Sequence, residues 1–67
     1  MKINKVIIDK NNGDSFNFKR KKNKELNIFI SDIKIEVSVN SVGSDDYKTI
    51  FNTEPHKISR IKIFPNK

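Results

Sequence analysis

The chain has 67 residues, no cysteine, and a formal net charge of +6 from 14 Lys and Arg against 8 Asp and Glu. One domain of this length buries only about 60% of the surface its unfolded chain exposes, so each of its 23 apolar residues counts towards stability. The missing Cys excludes a disulfide framework and a thiolate metal site, and no apolar run approaches the roughly 18 residues of a membrane span.

Ala and Gln are absent and Leu occurs once, whereas Ile, Val and Thr supply 17 residues. Strong helix formers are therefore scarce and β-branched residues abundant, which predicts sheet before any pattern is read. Lys2–Asp9 and Ser15–Arg20 flank Asn11-Asn12-Gly13 as a first hairpin. A three-residue loop with Gly13 in the left-handed conformation sets Ile8 against Phe16, Val6 against Phe18, and Lys10 against Asp14. A two-residue loop would instead oppose Phe16 to Asp9. The first register matches apolar faces and is preferred. It leaves Ile3 and Ile7 on the opposite face, in need of cover.

Leu26, Ile28 and Ile30 alternate on even positions, then Ile33, Ile35, Val37 and Val39 on odd ones. Two arrangements explain the flip of parity. Either Ser31-Asp32 is a tight hairpin loop pairing Ile30 with Ile33 and Ile28 with Ile35, which is preferred, or one long strand bends there at a bulge. Asn40–Asp46 is rich in turn formers, with Gly43 as its positive-φ position. After it, Tyr47, Thr49 and Phe51 alternate as a strand, or Tyr47, Ile50 and Phe51 face inward from one helical turn. Asn52–Pro55 breaks the chain again. Ile58–Phe64 forms the last strand, where the change of parity from Ile58 to Ile61 and Ile63 places a bulge near Ser59-Arg60.

The expected fold is all-β: a single domain over residues 1–67, a small antiparallel meander of five to six short strands closing into a barrel or curled sheet. Its core is expected to hold Val6, Ile8, Phe16, Phe18, Leu26, Ile28, Ile35, Val37 and Ile61.

Five cations fall within six positions, Lys19, Arg20, Lys21, Lys22 and Lys24. Such a run in a connection is a hydrated loop unless other cations fold beside it, in which case it binds phosphates through counterion release. Lys2, Lys5, Lys57, Arg60, Lys62 and Lys67 supply that company if the last strand lies beside the first, and Asp45, Asp46 and Glu54 would then lie elsewhere. Phe29 points away from Leu26, Ile28 and Ile30, as a residue that stacks a base or covers an interface.

His56 has no partner at ligand spacing, Gly13 and Gly43 are isolated, and no nucleophile has a base placed for it. No metal, cofactor or catalytic site is therefore expected, and the chain is not expected to be an enzyme. No run matches the diagnostic motifs of small nucleic-acid-binding β domains, including the aromatic RNP1 pattern.

The expected function is a basic, non-catalytic binding module engaging nucleic acid or a nucleotide through Lys19, Arg20, Lys21, Lys22, Lys24, Arg60 and Lys62, with Phe29 as a stacking or interface residue. The alternative is a protein-interaction module, such as a small phage or mobile-element inhibitor or assembly factor, acting through exposed apolar residues. Lys, Asn and Ile together supply 32 residues, a bias that AT-rich codons generate regardless of function, and 12 of the 14 cations are Lys rather than Arg. A cytoplasmic location, no membrane partner and self-association complete the expectation.

Overall fold

The alternating pattern becomes six strands in the computed structural model, which describes residues 2–65. They are β1 (Ile3–Lys10), β2 (Ser15–Lys19), β3 (Lys24–Ile30), β4 (Ile35–Ser41), β5 (Lys48–Thr53) and β6 (Ile58–Pro65). The sole helical piece among the described residues is a 3-10 turn at Pro55–Lys57. The architecture is an antiparallel, curled half-barrel, as the composition predicts. Lys67, expected in the basic group at the chain end, lies outside the described residues.

β1 is the hinge of the sheet. Along Lys5–Asp9 it pairs β2 on one edge and β6 on the other. Where β2 ends, with the Arg20 amide donating to Asn4 O at 2.9 Å, β1 meets β3 through the single pair Ile3 and Leu26. From there β3, β4 and β5 follow as consecutive antiparallel neighbours. The last strand does lie beside the first.

The two halves curl to face one core. Val6 and Ile8 from β1 meet Leu26, Ile35 and Val37 from β3 and β4, all buried, with Ile3, Phe18, Ile28, Val39, Phe51, Ile58 and Ile61 packed around them. Phe16 is half-buried and closes the open side, its ring 4.9 Å from that of Phe51. Burying these side chains contributes on the order of 1.5–3 kcal/mol each, against which the chain entropy of so short a domain must be set.

The first hairpin has the expected register, Ile8 with Phe16 and Val6 with Phe18. The Lys10 amide donates to Asp14 O at 2.8 Å, and Gly13 sits at φ 96°, a conformation only glycine adopts without strain. The expected bulge at Ser59-Arg60 is also present: Asp9 pairs Arg60 while Lys10 pairs Ile58, and Ser59 Oγ donates to Asp9 O at 3.1 Å.

The second hairpin exists, but its register is two residues away from the expected one. Ile30 pairs Ile35 and Ile28 pairs Val37, so the turn is centred on Asp32-Ile33, not Ser31-Asp32. The cause is the Ser31 side chain. Its hydroxyl accepts the amides of Ile33 and Lys34 at 3.4 and 3.2 Å, and the Ser31 amide donates to Lys34 O at 2.9 Å. A two-residue shift preserves which face each residue occupies, so the core is unchanged, while Ile33 moves to the tip and is 79% exposed.

β5 corrects a second expectation. Tyr47 precedes the strand and is exposed. Val37 pairs Phe51 but Ser38 pairs Thr49, leaving Ile50 as the extra residue of a bulge. The bulge turns Phe51 inward and Thr49 outward, which breaks the single alternating face of Tyr47, Thr49 and Phe51.

Candidate polyanion-binding surface

Because Val6 and Ile8 point into the core, Lys5, Ile7 and Asp9 point out, and strand pairing carries their neighbours to the same face. Three rows cross the β2–β1–β6 half: Lys19, Lys5 and Phe64; Asn17, Ile7 and Lys62; Ser15, Asp9 and Arg60. Lys5, Lys19, Arg60 and Lys62 thus share one surface with an aromatic ring among them. Lys5 Nζ stands 5.2 Å from the centre of the Phe64 ring, a cation–π distance. Asp9, the one carboxylate in these rows, accepts from Ser15 Oγ at 2.7 Å.

The basic run continues from the end of β2. Asn23 at φ 62° and the Lys24 amide donating to Lys21 O at 3.1 Å close it into a tight turn, with Lys21, Lys22 and Lys24 exposed. Asn is among the few residues that accept this conformation, through its short polar side chain. The turn is docked: the Val42 amide donates to Asn23 O at 3.1 Å, and Lys24 Nζ donates to Ser41 Oγ at 2.8 Å. Among the described residues, none of Lys5, Lys19, Arg20, Lys21, Lys22, Lys24, Arg60 and Lys62 forms an ion pair. Positive charge is gathered here in excess of the neighbouring carboxylates Asp9 and Glu25.

The structure therefore brings Lys19, Arg60 and Lys62 onto one face and joins the Arg20–Lys24 turn to its edge. Lys5 was expected near the basic turn and Phe64 was not singled out. Phe64 was legible as the outward neighbour of Ile63, had the β1–β6 register been known.

Other placements differ from expectation. Lys57 lies just beyond the last β1–β6 pair, its O accepting the Asn11 amide at 2.9 Å, and its Nζ stands 3.7 Å from Glu54 Oε1, so its charge is paired where those of Arg60 and Lys62 are not. Asp45 and Asp46 are not segregated from the cations with Glu54, because their loop is the one that docks on Asn23 and Lys24 through Ser41 and Val42. Phe29 lies on the outer face of the other half, 56% exposed, with Lys34 Nζ 5.9 Å from its ring centre. It does not form a common surface with Ile3, which packs on the core, or with Ile7, which faces outward from β1.

His56 is exposed, with Nδ1 3.5 Å from Glu54 Oε2. Among the described residues no three His, Cys, Asp or Glu side chains are grouped to hold a metal ion, and no helix is long and apolar enough to cross a membrane. Comparison with family models, curated proteins and solved structures finds no match to this chain.

Proposed function

We propose that this chain is a non-catalytic module that binds a polyanion, nucleic acid in the first place, on the outer face of β2–β1–β6 and the adjoining Arg20–Lys24 turn. The observation that carries this reading is the β1–β6 pairing, which sets Arg60 and Lys62 beside Lys5 and Lys19, four cations with one carboxylate, Asp9, among them and no ion pair formed among the described residues. Like charges held together on a sheet gather counterions, and a bound phosphate chain takes their place and releases them. Lys-dominated contacts hold the backbone without reading sequence. A cytoplasmic location accords with this role.

The test is binding of a labelled oligonucleotide at two salt concentrations. Affinity should fall steeply with salt, and replacing Lys19, Lys21 and Lys22 by Gln should flatten that slope at an unchanged thermal midpoint. Failure of the natural chain to bind any oligonucleotide or nucleotide at low salt would remove the proposal.

A protein-interaction module is the second reading, favoured by Phe29, Ile30 and Ile33, which are 56, 54 and 79% exposed around one hairpin end. It predicts weak salt dependence and a strong response to Phe29→Asp, measured as a change in mass or partner capture. Homo-oligomerisation belongs to this reading.

A further inference from the structure

The half-barrel is not closed by hydrogen bonds. The strand path runs from β2 through β1, β3 and β4 to β5, with β6 a further edge strand on β1, and no strand pairing joins β2 to β5. Across the seam between these edges the contacts are ring contacts, Phe51 with Phe16 at 4.9 Å and with Phe18 at 5.4 Å. Just beyond Phe18, where β2 gives way to the basic turn, the seam opens into a groove of ≈ 220 Å³. Val39 and Ile50 supply its apolar lining, and Lys19, Arg20, Lys21 and Lys24 bring four cations to it. Glu25 also lines it, but its Oε1 accepts from Asn40 Nδ2 at 2.8 Å.

Three features define what such a groove accepts. Its volume is below the roughly 300–1,000 Å³ of pockets that enclose whole small-molecule ligands, so it has room for one flat group with the rest of the ligand outside. Its two apolar lining residues are aliphatic, one packed on the core and one the unpaired residue of the β5 bulge, 42% exposed, so a group inserted against them must be largely apolar on its faces. Its cations fall on the side continuous with Lys5 through Lys19, so negative charge must flank the inserted group along a chain.

Arg20 adds an independent observation. Its Nε is enclosed and has no hydrogen-bond partner among the described residues, and no carboxylate pairs with the guanidinium there. Protein atoms therefore enclose that part of the guanidinium, and its charge has no ion-pair partner among the described residues. Guanidinium planes stack on unpaired bases, and such bases are available in single strands but not in duplexes.

We infer that the β2–β5 seam receives a base of a single-stranded nucleic acid, placed on Ile50 and Val39 beside Arg20 while the phosphates on either side follow Lys19, Lys21 and Lys24. This rests on the polyanion reading and names its substrate class. A bulge at Ile50 then has a use: in a regular strand that residue would pair on β4 and leave the seam without its apolar wall.

The experiment compares three probes with the full chain by fluorescence anisotropy at one low salt concentration: a twelve-residue single strand of dT, an abasic strand of equal charge, and a duplex of equal length. The dT strand is expected to bind at least tenfold more tightly than the abasic strand and several-fold more tightly than the duplex. Ile50→Ser should bring dT to within threefold of the abasic strand while leaving abasic affinity unchanged. As a measurement on the natural chain, a single strand carrying 2-aminopurine should change its emission on binding as the base leaves water. Equal binding of dT and abasic strands with no change in emission would overturn the groove and leave the polyanion reading standing. No binding of any probe would remove both.

Discussion

The outer faces of the two halves treat their polar groups in opposite ways. On β3–β4–β5 the side chains answer one another. Asn27 Nδ2 donates to Asn40 Oδ1 at 2.8 Å, Asn40 Nδ2 donates to Glu25 Oε1 and to the carbonyls of Ser41 and Ser44, Thr49 Oγ1 donates to Glu36 Oε2, and Lys34 stands 3.9 Å from Glu36. On β2–β1–β6 the four cations have no such partners among the described residues. Both halves come from one Lys-rich sequence, so net charge alone does not explain the difference. Where polar groups satisfy each other they fix a loop or a strand pair. Where they are left open they remain available to something else.

The largest effect should come from what the halves share. Ile8 and Ile35 belong to opposite halves but to one core, at 0 and 3% exposure. Ile8→Ala and Ile35→Ala should each cost about 2–5 kcal/mol. A domain of this length has a stability of roughly 3–10 kcal/mol, so either change removes much of it. Urea unfolding followed by tyrosine fluorescence and by circular dichroism should give coincident transitions for both variants. Separate transitions would show that the halves are independent and break the comparison at its root.

Next in size is the polar network of the β3–β4–β5 half. Asn40 is buried, and its side chain joins β3 to the Ser41–Ser44 turn. Asn40→Ala leaves those carbonyls and the Asn27 amide without their partner and should cost about 1–3 kcal/mol. Because the same turn docks on Asn23, hydrogen exchange should rise at the Val42 amide as well as within the turn. A loss below about 0.5 kcal/mol would mean that water replaces the network and that it fixes nothing.

Much of this fold was legible because a strand's period is two and its faces are set by parity. The pairs Val6 with Phe18 and Ile8 with Phe16 follow from matching apolar faces around Gly13, and the Ser59 bulge follows from a break in alternation. Registers that preserve parity were not legible in this way. Ile30 opposite Ile33 and Ile30 opposite Ile35 bury the same face, and the Ser31 hydroxyl decides between them. The basic turn stands out in the sequence as a run. The surface it joins does not, since Lys5 and Lys62 are far apart in the chain and meet only through the β1–β6 pairing. Ile50 was hidden for the same reason, since a bulge opposite Ser38 is a property of two strands together.

A third prediction acts on the open face. Lys5→Gln with Lys62→Gln removes a half-buried and an exposed cation from adjacent rows and should change stability by no more than about 1 kcal/mol, the cation–π contact of Lys5 with Phe64 included. Oligonucleotide affinity should fall, and the slope of its logarithm against that of salt should flatten by roughly 2, about one unit for each lost phosphate contact. An unchanged slope would place these rows outside the site and leave the Arg20–Lys24 turn as its whole extent.

The smallest expected effect is the most informative about the comparison itself. Lys34→Gln with Lys57→Gln removes the same two units of charge, but from cations that stand beside carboxylates: Lys34 beside Glu36, and Lys57 beside Glu54. If binding were governed by the net charge of +6, both double variants would lose affinity alike, because each leaves the same total. If the outer face of β2–β1–β6 is the site, the Lys34 and Lys57 variant should keep its affinity within about twofold and its salt slope unchanged, since it loses no phosphate contact. Its stability should also stay within about 0.5 kcal/mol, because a half-exposed pair such as Lys34 and Glu36 contributes little. Measured side by side, the two variants separate a charged surface from a charged protein. Equal losses in both would leave the Lys-rich composition as the whole explanation of binding.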